Sequence, residues 1–150
     1  MARLRHDWNS LENYYQVHYR VLKHYSWRFT STNVKYTHRQ LTDQWEQLEI
    51  LSLMFKADRG QIVELKIEKD IEVDRSYQKP RAKTFAYSYQ AKRVAPDNRI
   101  YFRFCSSHED HNCFHHKHVF NINGTEQVIK IDDDKWPHVN EFFDEVATIR

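Results

Sequence analysis

The sequence predicts an α+β fold with two N-terminal helices, an antiparallel meander of about five strands, and a C-terminal helix packed on the sheet. Three observations indicate this class. Apolar residues recur at three-to-four spacing in the first third of the chain, and from Gln61 the spacing changes to two. After Asp132 the helical spacing returns. Grouped strands flanked by helices are typical of an antiparallel sheet rather than of alternating β–α units.

Two segments before residue 60 have the apolar spacing of helices. The first is predicted from Asn9 to Tyr25, where Asn9 and Glu12 have the spacing of a capping box. The second is predicted from about Thr37 to Lys56, with Gly60 as its left-handed cap. Its apolar stripe is widened by three further residues, which predicts burial on more than one side. The stripe consists of Leu41, Trp45, Leu48, Leu51 and Phe55, and the residues that widen it are Ile50, Leu53 and Met54.

Five strands are predicted between residues 61 and 131. The first alternates apolar and charged residues from Val63 to Val73. Three further strands are centred on residues 85–91, 100–104 and 116–122, and Asn123-Gly124 predicts a tight hairpin into a fifth strand over 127–131. Pro137 then fits the first turn of a closing amphipathic helix that extends to Ile149.

Length and composition suggest one domain over residues 1–150, with a helical N-terminal part (1–58) and a sheet with its closing helix (61–149). No apolar run approaches the length of a membrane span, and the N-terminus lacks the apolar core of a secretory signal. We therefore expect a cytoplasmic protein without a membrane partner, in which Cys105 and Cys113 remain reduced.

A basic and aromatic segment lies between residues 75 and 105. It carries eight Lys or Arg residues against one acid, Asp97, and this excess suits a polyanion, with RNA favoured. The alternative is a solvated strand face balanced by the acidic C-terminal third. The predicted phosphate contacts are Lys117, Arg103, Arg99, Arg93 and Lys92, and the predicted stacking residues are Tyr87, Tyr89 and Tyr101.

Five of the ten histidines lie between positions 108 and 118. If the chain is extended there, His116 and His118 project from the same face of a strand. Imidazole changes charge near neutral pH, so one ring can accept a proton while the other donates one. We predict His116 and His118 as an acid–base pair with His111 or His115 in support, and we expect neither a metal ion nor another cofactor.

Two other interpretations of the histidine cluster stay open. A His-x-His strand near further histidines and carboxylates is plausible ligand chemistry for a metal ion. Loop histidines can also cap carbonyls or pair with acids such as Glu109 and Asp110, in which case they only order the loop. The chain would then be a non-catalytic module that binds nucleic acid or a protein, and Leu53 and Met54 on the second helix would form a dimer or partner face.

Several short motifs in the C-terminal half occur in a characteristic order. An aromatic strand, Phe85-Ala-Tyr-Ser-Tyr89, precedes a strand that ends in Arg103-Phe104, and His116-Lys117-His118 follows before the closing helix. Over residues 61–149 this order resembles the TumE-like toxins of bacterial toxin–antitoxin modules. Where that family has Asp-Asn after the aromatic residue, this chain has Cys105-Ser106. The resemblance implies a growth-inhibiting protein that acts on RNA or the translation machinery and is neutralised by a DNA-binding antitoxin.

Overall fold

The computed structural model describes residues 6–30, 35–94, 96–106 and 115–150. Two helices, α1 (Leu11–Tyr25) and α2 (Val139–Ala147), accompany one antiparallel sheet. Strands β2 to β8 lie in chain order, and the short β1 pairs with the start of β5. The strands are β1 (Asn9–Ser10), β2 (Lys35–Gln40), β3 (Trp45–Lys56), β4 (Ile62–Asp74), β5 (Arg81–Arg93), β6 (Ile100–Cys105), β7 (His115–Phe120) and β8 (Glu126–Ile131).

The α+β class and the antiparallel meander are confirmed, as are the first and last predicted helices. Ser10, rather than Asn9, caps α1, because its hydroxyl accepts a 3.1 Å hydrogen bond from the Asn13 amide. The five predicted strands correspond to β4–β8. Neither helix has the length and apolarity needed to cross a bilayer, which holds for the part of the chain that the structure describes.

The second predicted helix is wrong. Its residues form β2 and β3, which together with β1 and the five predicted strands make eight. Among the described residues before position 58, α1 is the one α-helix, so the predicted helical N-terminal part is helical only there. A β-bulge in β3 explains the error, since the pairing with β4 shifts between Ile50 and Leu53. The buried positions therefore change from even to odd numbers along β3, and the apolar spacing mimics a helix. Leu53 is fully buried in the core, which removes it from the predicted partner face.

Both helices pack on the same face of the sheet, which we call the helix face. Phe142 of α2 contacts Tyr89 of β5, with ring centroids 5.5 Å apart. Tyr25 of α1 stacks on Phe143 of α2 at 5.2 Å, so the two helices also meet each other. The apolar side chains of β3–β6 point to this face and form a continuous core with α2.

The opposite face of the sheet, the open face, carries the polar side chains. Directly paired residues of antiparallel strands project to the same side, so the register shows which side chains are neighbours there. One row crosses β4 to β8 as Glu68, Ser88, Cys105, His116 and Lys130. The adjacent row runs Lys66, Gln90, Arg103, His118 and Val128. The chain-order meander thus brings a thiol, two imidazoles and a guanidinium together on β6 and β7.

Candidate functional site

His116 and His118 lie side by side on the open face. Their ring centroids are 4.8 Å apart and the rings are inclined by 72°, so the prediction that they share a strand face is confirmed. An acid–base pair that touches its substrate has to be reachable from solvent, and this requirement of the predicted role is not met. His116 is fully buried and His118 is 3% exposed. The pair is a buried feature of the sheet rather than part of its solvent-exposed surface.

Each imidazole has a polar neighbour from an adjacent strand. Cys105 is paired with His116 in the β6–β7 register, and its Sγ lies 3.2 Å from His116 Nε2. On the other side, Nδ1 of His118 contacts a carboxylate oxygen of Glu126 in β8. The ligand atoms of Cys105, His116 and His118 all lie within 4.8 Å of one another, and all three residues are buried. We call these three residues the Cys-His-His cluster.

His115 lies apart from this cluster. It precedes His116 on the strand and points to the helix face, where Nδ1 lies 3.1 Å from the Tyr87 hydroxyl. Its ring stacks on Trp136 with centroids 5.2 Å apart. Desolvation lowers the pKa of His115, and Asp133 opposes that shift. These contacts give His115 a packing role on the helix face. Its ring therefore points away from His116 and His118, which it was predicted to assist in catalysis. His111 lies outside the described residues, so its predicted role stays a prediction.

A polar groove of about 390 Å³ lies on the open face beside the cluster. Cys105 belongs to both the groove and the cluster, so the two features adjoin. Amides, hydroxyls and charges of both signs line the groove, which suits a polar ligand better than an apolar one. Its side chains include Gln47, Lys66, Glu68, Asp70, Ser88, Gln90, Arg103 and Ser106.

Two of the predicted phosphate contacts, Arg103 and Lys117, are neighbours of the histidine pair in the sheet, but their side chains project to opposite faces. Arg103 is paired with His118 in the register and lines the groove. Lys117 projects to the helix face, where its amine contacts Glu145 and lies 4.8 Å from the ring centroid of Phe102. Of these two cations, Arg103 therefore faces the same side as the imidazoles.

The other predicted cations have partners along the sheet. Lys92 pairs with Glu64 at 3.6 Å, and Arg93 pairs with Asp97 at 3.9 Å. Arg99 donates a 3.2 Å hydrogen bond to the carbonyl of Phe120. None of these three lines the groove, so their predicted phosphate contacts receive no support from its geometry.

The three tyrosines predicted to stack on bases have different environments. Tyr89 is fully buried against α2, and Tyr87 is 5% exposed. Desolvation raises the pKa of both phenols above the ordinary value, which agrees with their place in the core. A base cannot stack on either ring, and we therefore exclude both from the predicted nucleic-acid surface. Tyr101 is half-buried, with the Arg99 guanidinium 5.1 Å from its ring centroid.

Sequence reasoning did not assign Cys105 or Glu126 to the site. The signal for Cys105 was its position as the last residue of a strand that leads towards the His-Lys-His strand. The signal for Glu126 was the Asn123-Gly124 turn, which brings residues on either side of it together. Both follow from the hairpin register, which the sequence alone leaves open.

No family model, curated protein or solved structure matches this chain. The resemblance to TumE-like toxins therefore stays a prediction.

Proposed function

We propose that the chain is a small RNA-directed protein whose open face receives the sugar–phosphate backbone beside the Cys-His-His cluster. The observation that supports this most directly is the position of Arg103, which adjoins His118 and lines the groove that Cys105 also lines. A guanidinium binds phosphate oxygens through two parallel N–H donors. The amides of Gln47 and Gln90 and the hydroxyl of Ser88 add neutral donors for sugar and phosphate oxygens.

Cleavage of the backbone is the reaction that the imidazole pair suits. The 2′-hydroxyl oxygen attacks phosphorus, the bond from phosphorus to the 5′-oxygen breaks, and one proton moves from the nucleophile to the leaving oxygen. In the chemistry that the sequence predicts, His116 and His118 carry that proton, and their burial requires a relay such as a water molecule between ring and substrate. Alternatively, they could hold a metal ion whose bound water takes part. Arg103 would stabilise the charge on the phosphate in either chemistry.

The setting proposed for this activity is the bacterial cytoplasm. The resemblance to TumE-like toxins supports a growth-inhibiting component of a toxin–antitoxin module, with a DNA-binding antitoxin as protein partner. Induced expression in a bacterial host tests this setting directly. Growth arrest that His118→Gln abolishes supports it, and normal growth with abundant wild-type protein contradicts it.

The burial of both imidazoles favours a second candidate function. A fully buried ring such as that of His116 cannot touch a bound strand directly. In this alternative, the chain binds RNA or a protein partner through the open face without cleaving anything. The Cys-His-His cluster then has a structural role only, as a contact between β6 and β7.

Labelled single-stranded RNA separates the two candidates. Wild-type protein should bind and cleave it, and Arg103→Gln should weaken binding and reduce the salt dependence by about 0.7 in log–log slope, the loss of one phosphate contact. Lys23→Gln is the matched control, since Lys23 is exposed on α1. His118→Gln should stop cleavage and retain binding. Binding without cleavage by the wild type would support the second candidate. No binding of RNA would overturn the first candidate and limit the second to a protein partner.

A further inference from the structure

The Cys-His-His cluster has the composition and spacing of a transition-metal site. Thiolate sulfur and imidazole nitrogen are the ligands that Zn²⁺ prefers in proteins, and three protein ligands plus one open position are typical of catalytic zinc. We propose that Cys105, His116 and His118 bind one Zn²⁺ ion. The site itself stands on ligand geometry alone, whereas its part in cleavage rests on the proposed function.

The distances fit an ion at the centre of the three side chains. With zinc–sulfur and zinc–nitrogen bonds of about 2.3 and 2.0 Å, tetrahedral ligands lie about 3.5 Å from each other. Sγ of Cys105 and Nε2 of His116 are 3.2 Å apart, and the three ligand atoms all lie within 4.8 Å of one another. The ligand atoms need to move by about 1 Å or less to reach tetrahedral zinc separations, and rotation of the side chains allows such a movement.

The backbone holds these side chains in place before an ion arrives. Cys105 and His116 are directly opposed on β6 and β7, and His118 follows His116 by two residues on the same face. The β7 register with β8 extends this frame on the other side. A site on paired strands is more rigid than one assembled from loops, which lowers the cost of ordering the ligands.

Glu126 supplies the outer contact that zinc-binding histidines usually have. Its carboxylate contacts Nδ1 of His118, which fixes the proton on that nitrogen and assigns the lone pair to Nε2. A carboxylate behind a histidine ligand orients the ring and makes it more basic, and its removal typically weakens metal binding 10- to 100-fold. Glu126 is thus a positioning residue in this proposal.

Metal binding also gives the buried imidazoles a function that direct proton transfer does not. A metal ligand needs no contact with RNA, because the ion's open position meets the substrate instead. Cys105 borders the groove, so an ion bound to its sulfur lies beside the space that Arg103 lines. A bound ion lowers the pKa of its water and can supply hydroxide or polarise a phosphate oxygen.

Cobalt(II) titration of chelator-treated protein tests the site without RNA. We expect one equivalent of Co²⁺ to produce a thiolate-to-cobalt charge-transfer band, and one equivalent of Zn²⁺ to displace it. Cys105→Ser should abolish the band, whereas Cys113→Ser, the same change at the other cysteine, should retain it. His118→Gln should weaken binding by at least 100-fold, and His24→Gln, at an exposed histidine of α1, should leave it unchanged.

Glu126→Gln provides a variant that keeps the three ligands and alters an exposed side chain. It should retain the band and raise the dissociation constant 10- to 100-fold. Absence of the band in the wild type, or its persistence in Cys105→Ser, overturns the metal site. If the band forms but RNA cleavage withstands chelator, the site is structural and its proposed part in cleavage is wrong. If the band forms and RNA is neither bound nor cleaved, the proposed function fails and the metal site stands.

Discussion

Glu46 and Arg75 form an ion pair between a buried carboxylate and a partly exposed guanidinium, with Nη2 of Arg75 2.9 Å from Oε2 of Glu46. The carboxylate belongs to the core-facing side of β3 and is 3% exposed. Its other oxygen accepts a 3.0 Å hydrogen bond from the Tyr15 hydroxyl and also contacts His38. A charge at a core position is costly unless it is fully paired, and three partners from α1, β2 and the β4–β5 turn supply that pairing here.

Glu46→Gln should lower the free energy of unfolding by about 1–3 kcal/mol, because it removes the charge and leaves donors of Arg75 and Tyr15 poorly matched. Urea denaturation at pH 7 measures the change. Glu72→Gln is the control, since Glu72 pairs with Lys83 at 3.9 Å on a partly exposed surface and should cost less than about 0.5 kcal/mol. Equal losses in the two variants would contradict the importance of burial.

Lys69 should make stability depend on pH. Its amine is buried between the rings of Tyr14 and Tyr89, 5.4 and 5.6 Å from their centroids, and desolvation lowers the pKa of Lys69 to about 7. The unfolded lysine keeps its proton up to about pH 10.5. Between these values the unfolded state binds more protons than the folded state, so stability rises with pH.

We therefore expect the free energy of unfolding to rise by about 3 kcal/mol between pH 7 and pH 9.5, at 1.36 kcal/mol per unit of pH. Lys69→Met should flatten this rise and stabilise the protein at pH 7. Urea denaturation at several pH values gives both results, and Lys66→Met, at a half-exposed lysine on the open face, is the control. An unchanged pH dependence in Lys69→Met would show that Lys69 is not the group responsible.

Phe142 should be among the most sensitive core positions. It is fully buried in α2 and its ring lies 5.5 Å from Tyr89 and 5.9 Å from Phe102. Phe142→Ala removes a whole ring from this packing and should cost about 3–5 kcal/mol. Ile122→Ala, at a residue 89% exposed, should change stability by less than about 0.5 kcal/mol. Thermal and chemical denaturation should agree on this difference, and a small loss for Phe142→Ala would contradict the docking of α2 on the sheet.

Ser52 occupies the bulge of β3 with φ of 58°, a left-handed conformation. A β-branched residue is strained there, so Ser52→Val should lower stability by about 1–2 kcal/mol, whereas Ser52→Gly should not lower it by that route. Ser88→Val is the matched control, because Ser88 lies in the regular part of β5, where a β-branched side chain is favoured. Equal effects of the two valine substitutions would contradict the bulge.

The sequence predicts this fold best where the apolar alternation keeps one register along a strand, as it does in β4 on both sides of the buried Lys69. In β4, Val63, Leu65, Ile67, Ile71 and Val73 keep one face, and the strand is recovered nearly to its ends. The sequence predicts a helix in place of β3 for two physical reasons. The bulge changes which positions are buried, and Glu46 places a charge at a buried position where a regular strand would have an apolar residue. A local pattern cannot show that Arg75, 29 residues away, makes that charge tolerable.

Some features of the candidate site can also be predicted from the local sequence, and others cannot. A strand period of two is local, so the shared face of His116 and His118 follows from the sequence alone. The opposition of Cys105 and His116 depends on the register between β6 and β7, and the burial of both imidazoles depends on the assembled sheet. Stacking roles for Tyr87 and Tyr89 failed because the sequence does not tell which face of β5 the helices cover.

The chain-order pairing of β2 to β8 also bears on how the molecule is made. Each strand finds its partner in the segment synthesised just before it, so the sheet can grow hairpin by hairpin as the chain leaves the ribosome. Among the strand pairs of the described residues, β1 with β5 is the one that spans about 70 residues. The part of the helix face that α2 covers, which includes Tyr89 and Phe102, stays exposed until residues 139–147 have emerged. Nascent chains that stall before residue 139 would therefore expose this apolar surface, and they would depend on chaperones to avoid aggregation.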